Sequence, residues 1–307
     1  CNNWSEYMYS NAKMEYMMYP RAIALSEIAW SPVSRKNFKD FCRRLDANCV
    51  RLDERHIRYH IPLPEQPFGS CDKVVITGDT AVTFTTSRPM KMVYTLDGST
   101  PTPSSSAYAE PIRVSGNTII KIATILPSGK MSRIRTIDVE KQTYAPAVKV
   151  EGAKPGLQMK RIKGNYLKVD QLEWADAAWE CANIEGLEQM KIQQKDDAAT
   201  LRGANNYAAI AEGYINIPED GVYYLSSRLE QVWIDNKLMI SNEGEVKAGT
   251  NHDTSVALAK GLHPIKVVFL SNIVGGWPSW WSSLGIEMRK DSEQKFTPVD
   301  NSMFFRK

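Results

Sequence analysis

Apolar residues recur at two different periods along this chain, and the change of period divides it. Met14, Met17, Met18, Ala22, Leu25, Ile28 and Ala29 follow the three-and-four spacing of an amphipathic helix, so residues 14–29 are predicted helical. Pro20 interrupts that run, so it must stand at a helix first turn or kink the helix, because an interior proline loses a hydrogen bond and clashes. Phe38, Phe41, Cys42, Leu45, Cys49 and Leu52 make a second helical stripe, with Ser34 or Asn37 as its N-cap. Both stripes are expected to face a core, although a barrel for the first to pack on is not evident in the chain. The stretch 61–69 then carries three prolines, Pro62, Pro64 and Pro67, which favour extended backbone and mark a linker.

Beyond the linker the period becomes two. Residues 74–76, 82–84, 92–95, 119–122 and 134–137 read as short strands between turn residues, the pattern of a small β-sandwich. The pair Asp97-Gly98 is predicted to form a tight turn. From about residue 147 a further strand-rich unit follows, in which 213–224, 232–238 and 258–267 alternate apolar and polar positions. Glu219-Asp220-Gly221 and Asp235-Asn236 are expected to close hairpins between such strands.

Composition narrows the function classes. The 307 residues, 43% hydrophobic and 24% charged, suit two or three globular domains. No run approaches the ~20 apolar residues of a membrane span. The net charge of +3 comes from basic residues spread through the chain, so no nucleic-acid surface is indicated. Cys1, Cys42, Cys49, Cys71 and Cys181 are odd in number and scattered, which suggests neither a disulfide framework nor a zinc site. Cys1 could be read as a lipid-bearing residue, but the residues after it do not resemble a tether. His56, His60, His252 and His263 make no metal-ligand pattern, His263 being expected in a strand with a structural role. No metal and no cofactor is expected.

The chemistry most suggestive of a ligand lies at the start of the chain. In Trp4-Ser5-Glu6 an indole can stack on the C–H face of a pyranose, and a carboxylate two residues on, on the same side of a strand, can bind ring hydroxyls. A second cue is the run Gly275-Gly276-Trp277-Pro278-Ser279-Trp280-Trp281. Exposed Trp277, Trp280 and Trp281 on a loop could bind a glycan, or they could fold back to plug a sandwich edge.

The words Trp4-Ser5-Glu6-Tyr7, residues 15–32, Asp40-Phe41, Arg51-Leu52-Asp53 and Tyr59 together resemble the last strand and helix of family 20 glycoside hydrolases, the β-N-acetylhexosaminidases. The resemblance implies a (β/α)8 barrel with Trp4 and Glu6 at its mouth, where barrel active sites lie. By that family's pattern they would contact a terminal N-acetylhexosamine without being the catalytic acid. The acid is the Glu of an Asp-Glu pair, and the paired Asp orients the substrate's own acetamido group as nucleophile. Asp53-Glu54 is the one such dipeptide that invites comparison, and it lacks the family's glycine approach, so it is expected to be a solvated helix end. The catalytic set is therefore expected to be none, and the chain is expected to be inactive by itself.

Residues 94–103 with Tyr108 and Pro111-Ile112 resemble the sandwich module behind bacterial chitobiases. Residues 213–224, 232–238 and 258–267 resemble the β-sandwich named after the anthrax protective antigen. Some members of that last family hold calcium with neighbouring aspartates, but Ser226-Ser227-Arg228-Leu229-Glu230-Gln231 stands at the corresponding place, with Asp196-Asp197 elsewhere. The expected fold is thus mostly β: two β-sandwich domains preceded by a helical remnant of the last β/α unit of a (β/α)8 barrel. The expected boundaries are 1–62, a linker at 63–72, 73–142 and 147–307. The resemblance implies the C-terminal part of an enzyme acting on N-acetylhexosamine-containing glycans in the periplasm, at the cell surface or secreted, with an N-terminal catalytic barrel as its missing partner. A non-catalytic carbohydrate-binding module or a structural spacer is the alternative.

Overall fold

The computed structural model describes residues 8–67, 71–174, 178–192, 205–244, 252–274, 277–278 and 282–307. Among these, strands predominate and α-helices are confined to the first 54 residues. Two compact units form. The first comprises the described residues of Cys1–Pro67 with Ala81–Val114 and Thr118–Asp138; the second comprises those of Phe68–Thr80, Ser115–Asn117 and Val139–Lys307.

In the first unit the predicted opening helix is two helices, α1 (Asn11–Met18) and α2 (Arg21–Trp30), with Pro20 at the N-cap of α2. Proline is tolerated there because no intrahelical donor is lost. Neither helix buries a residue. Met14, Met17, Met18, Leu25 and Ile28 remain exposed, Ile28 at 63%, which corrects the expectation that this stripe faces a core. Among the described residues only Tyr19 and Ile23 of this segment pack on the unit's core. The third helix, α3 (Phe38–Glu54), behaves as its period predicts. Asn37 is the N-cap, accepting from the Asp40 amide at 3.0 Å. Leu45, Cys49 and Leu52 join Tyr59, Ile61 and Leu126 in the core, while Phe38 lies outside it.

Charge pairs hold α2 and the sheet to α3. Arg44 of α3 makes a two-pronged contact to Glu27 of α2 at 2.6 and 2.9 Å, and a further bond to Asp40 at 2.8 Å. Those bonds hold the Glu27 carboxyl below its ordinary range. Arg88, almost fully buried, reaches Asp46 at 2.8 Å. The proline-rich stretch runs extended, as predicted, and is pinned by paired backbone bonds between Glu65 and Thr85 at 2.9 and 2.8 Å. The unit's strands lie in the order Arg135–Lys141, Thr118–Ile125, Lys91–Thr95, Ser106–Ala107. After Lys91–Thr95, Gly98 takes φ +77° and the Asp97 carboxylate accepts from the Ser99 amide and hydroxyl, so the predicted turn forms.

The second unit is a two-sheet sandwich. One sheet runs Glu180–Ile184, Leu157–Lys163, Tyr207–Ile217, Gly261–Leu270, Gln231–Ile234, Lys237–Ser241, with Phe304–Arg306 and Lys154–Pro155 attached. The other runs His252–Leu258, Gly221–Ser227, Ile286–Lys290, Thr297–Pro298. Alternation turns Ile215, Ile217, Val267 and Phe269 of the first sheet toward Tyr223, Leu225, Leu258 and Ile286 of the second, forming one core. Asp235-Asn236 closes a hairpin as predicted, both residues at positive φ (51° and 60°). Glu219-Asp220-Gly221 does not. The strands on either side of it lie in different sheets, so this bend carries the chain from one layer to the other. Strand Lys73–Ile76 also belongs here: Ser255 Oγ donates to Lys73 O and accepts from Val75 N, each at 2.8 Å.

Two outcomes test the first unit. Leu45→Ala is expected to cost about 2–5 kcal/mol, whereas Ile28→Ala shifts stability by no more than about 0.5 kcal/mol, both read by chemical denaturation. The His60 imidazole, whose Nδ1 lies 2.7 Å from the Tyr16 hydroxyl, is held below its ordinary pKa of 6.5 by burial and by the nearby Arg21 and Arg133. The unfolded chain therefore binds more protons than the folded one as pH falls through 6.5, and stability contributed above that pH is lost on acidification. His60→Asn is expected to flatten this part of the stability-against-pH curve. An unchanged curve would count against the imidazole.

Candidate functional site

Trp4 and Glu6 lie outside the described residues, as do Trp280, Trp281 and Asp196-Asp197. Trp277 is described in its backbone alone, where Trp277–Pro278 pairs with Ile273–Val274 in a short antiparallel ribbon. The segment leading out of the tryptophan run, from Ser282 onward, is described, and it borders a cleft of about 450 Å³ in the second unit.

That cleft is built on Ser226–Arg228. Ser227 Oγ donates to Gly285 O at 2.7 Å and accepts from Leu229 N at 3.2 Å. Asn242 Nδ2 donates to Ser227 O at 2.9 Å and Leu229 O at 2.7 Å, clamping the turn from behind. Glu230 is buried and accepts from Leu270 N at 2.8 Å, so its carboxylate holds the backbone of the adjacent sheet. On the far wall, Glu188 Oε1 accepts from Leu284 N at 2.6 Å while Oε2 meets Lys191 at 3.0 Å. The Ser226 hydroxyl is buried without a hydrogen-bond partner and lines the cleft.

The arrangement can exchange hydrogen bonds with a polyol, through Arg228, Glu287 and Asn301. Its lining carries neither histidine nor cysteine. Among the described residues, no group of three His, Cys, Asp or Glu could hold a metal ion. Glu188 and Asn242 were not singled out from the sequence. Their roles depend on strands and turns that meet only in the fold, and an isolated Glu or Asn in a polar loop carries no signal of it.

The other candidates take structural places. Asp53 ends α3 half-buried, accepts from the Tyr59 hydroxyl at 2.9 Å and is paired with Lys130, while Glu54 is exposed. Burial and that bond push the Tyr59 phenol well above its ordinary pKa. His263 sits in a strand, fully buried, bonded to Asp235 at 2.9 Å and to Ala259 O at 2.8 Å. Cys42, Cys49, Cys71 and Cys181 form no disulfide with one another, and the Cys71 thiol donates to Lys73 O at 2.6 Å. No helix among the described residues is long and apolar enough to cross a membrane.

Three family models match the chain: the catalytic domain of glycosyl hydrolase family 20 over residues 1–33, the chitobiase/β-hexosaminidase C-terminal domain over 75–136, and the PA14 domain over 189–295. A β-hexosaminidase of Porphyromonas gingivalis is 43% identical over 305 residues, which is 99% of this chain and 39% of that protein. The chain thus spans about two fifths of the length of this relative. Among solved structures, the PA14 domain of the MpAFP antifreeze protein aligns with 52% of this chain and 94% of its own, at 8% identity and TM-score 0.37. The epithelial adhesin 9 A domain of Candida glabrata, solved with Galb1-4GlcNAc, aligns with 54% and 95% at 10% identity and TM-score 0.34. Likenesses that distant carry no functional weight.

Asn242→Ala is expected to cost about 1–3 kcal/mol, because the carbonyls of Ser227 and Leu229 lose a buried donor. Thermal unfolding monitored by near-ultraviolet circular dichroism measures it, and a neutral substitution would show the clamp to be dispensable.

Proposed function

We propose that this chain, similar to the glycosyl hydrolase family 20 model over residues 1–33 and to a β-hexosaminidase along nearly its whole length, serves the removal of terminal N-acetylhexosamine from glycans, as a substrate-binding and accessory portion of such an enzyme. The observation that carries this reading is the 43% identity to a β-hexosaminidase along nearly the whole chain. Trp4 and Glu6 form one wall of the sugar pocket, the indole stacking on the pyranose and the carboxylate binding its outer hydroxyls. The acid and its orienting aspartate come from a catalytic barrel to which residues 1–62 contribute the last β/α unit. Residues 73–142 and 147–307 are the two accessory sandwiches, joined through 63–72. The tryptophans Trp277, Trp280 and Trp281 supply a further glycan contact on the second of them. Substrates of this class are met outside the cytoplasm, so the working place is the periplasm, the cell surface or the surrounding medium.

Hydrolysis of 4-nitrophenyl N-acetyl-β-glucosaminide provides the test. The 307-residue chain is expected to give no turnover, and the same chain joined to a family 20 barrel is expected to be active. In the joined enzyme, Glu6→Gln weakens substrate binding about 10- to 100-fold, as loss of a hydrogen bond to a charged group does. Turnover by the 307 residues alone, or an unchanged KM in the Glu6 variant, would sink the assignment.

A further inference from the structure

The outer face of the large sheet in the second unit is covered at one end. There Ile162, Ala208, Ile210, Val268 and Leu270 are covered by Tyr166, Val169, Leu172 and Trp179. At the other end the same face opens into a groove of about 610 Å³, a size suited to a small ligand.

Strand register builds the floor. Gln158 pairs with Glu212, Glu212 with Lys266 and Lys266 with Trp233, so four side chains from four strands stand in one row. Their sequence neighbours Met159, Ala211, Val267 and Val232 are buried in the sandwich core, which turns the row outward. Trp233 follows a register shift between Val232 and Trp233, an irregularity of the kind that re-aims a side chain. Its indole N–H donates to Gln231 Oε1 at 2.9 Å, and Gln231 in turn donates to Glu243, whose other oxygen accepts from Val169 N at 3.1 Å. The ring is thus held in place before any ligand arrives.

The end wall comes from the last strand. Gly156, at φ +95°, turns the chain out of strand Leu157–Lys163, and its amide bonds Phe304 O at 2.8 Å. Any Cβ there would sit 2.3 Å from Ile184 O. Phe304–Arg306 takes the vacated edge of Tyr207–Ile217 and brings Arg306 to the groove. The Arg306 Nε is buried and makes no hydrogen bond. Lys266, Arg306 and Lys307 set three cations against the single carboxylate of Glu212, and the Lys266 ammonium lies 5.9 Å from the Trp233 ring.

We propose that this groove is a binding site for an acidic saccharide, with a sugar ring stacked on Trp233 and its carboxylate or sulfate held by Lys266 and Arg306. An indole fixed by its N–H bond and lining the groove offers the apolar face a pyranose needs. The Arg306 guanidinium on the groove lining and a flanking ammonium offer the charge an anionic substituent needs. A neutral sugar would leave that charge unanswered.

Calorimetric titration of the 307-residue chain tests the site without any need for turnover, so its outcome is separable from that of the hexosaminidase reading. The probes are sialylated N-acetyllactosamine, carrying a carboxylate, sulfated N-acetyllactosamine, and the neutral parent. At least one acidic probe is expected to bind at least about tenfold tighter than the parent, and to weaken as salt is raised. Whichever acidic probe binds names the source of the charge. Lys266→Gln and Arg306→Gln, which leave the core untouched, are each expected to remove most of that preference, and Trp233→Ala to abolish binding of all three. Equal affinity for neutral and acidic probes, absence of binding, or an unchanged preference in both charge variants would overturn the proposal.

Discussion

The burial of one apolar face of each sheet against the other in the second unit sets everything that unit presents to solvent. Ile215, Ile217, Leu225, Val267 and Phe269 are fully enclosed, and each such side chain contributes about 1.5–3 kcal/mol on leaving water. Because side chains alternate along a strand, fixing these inward fixes Glu212, Lys266 and Trp233 outward. A slip of one residue in any of those strands would bury the charged row and expose the core. The register of the outer face is therefore enforced by the inner one.

The same constraint explains where polar groups are allowed inside. Glu230, Asn242, Ser255 and His263 are all buried, and each is spent on backbone or a neighbouring carboxylate. They satisfy turns and strand ends beside the ladders, and Ser255 also reaches strand Lys73–Ile76. The cleft beside Ser226 is a by-product of that stitching. Its Ser227 hydroxyl and Glu188 carboxylate are committed to holding loops, and the polar groups that remain can meet a polyol.

The first unit shows the reverse case. Its third helix has a core to face and buries its stripe, whereas the first two keep theirs in solvent and are held by Arg44, Glu27 and a few contacts from Tyr19 and Ile23. Among the described residues, Met14, Met17, Met18, Leu25 and Ile28 keep the periodicity of a packed helix while remaining exposed.

Most elements were legible from the period of the apolar residues, since burial on one side imposes that period directly. The N-cap Asn37, the Asp97-Gly98 turn and the Asp235-Asn236 hairpin were legible too, because local backbone geometry selects those residue types. The Glu219-Asp220-Gly221 bend was misjudged for an equally plain reason: a turn signal says that the chain reverses, and says nothing about which sheet receives it. The likeness of residues 1–33 to the glycosyl hydrolase family 20 model also lies in the sequence. What the sequence determined by itself was periodicity, turns and that likeness. Only the tertiary structure decided that Gln158, Glu212, Lys266, Trp233 and Arg306, drawn from five strands, share one groove. Cross-strand register is a property of long-range pairing, and no spacing along the chain records it.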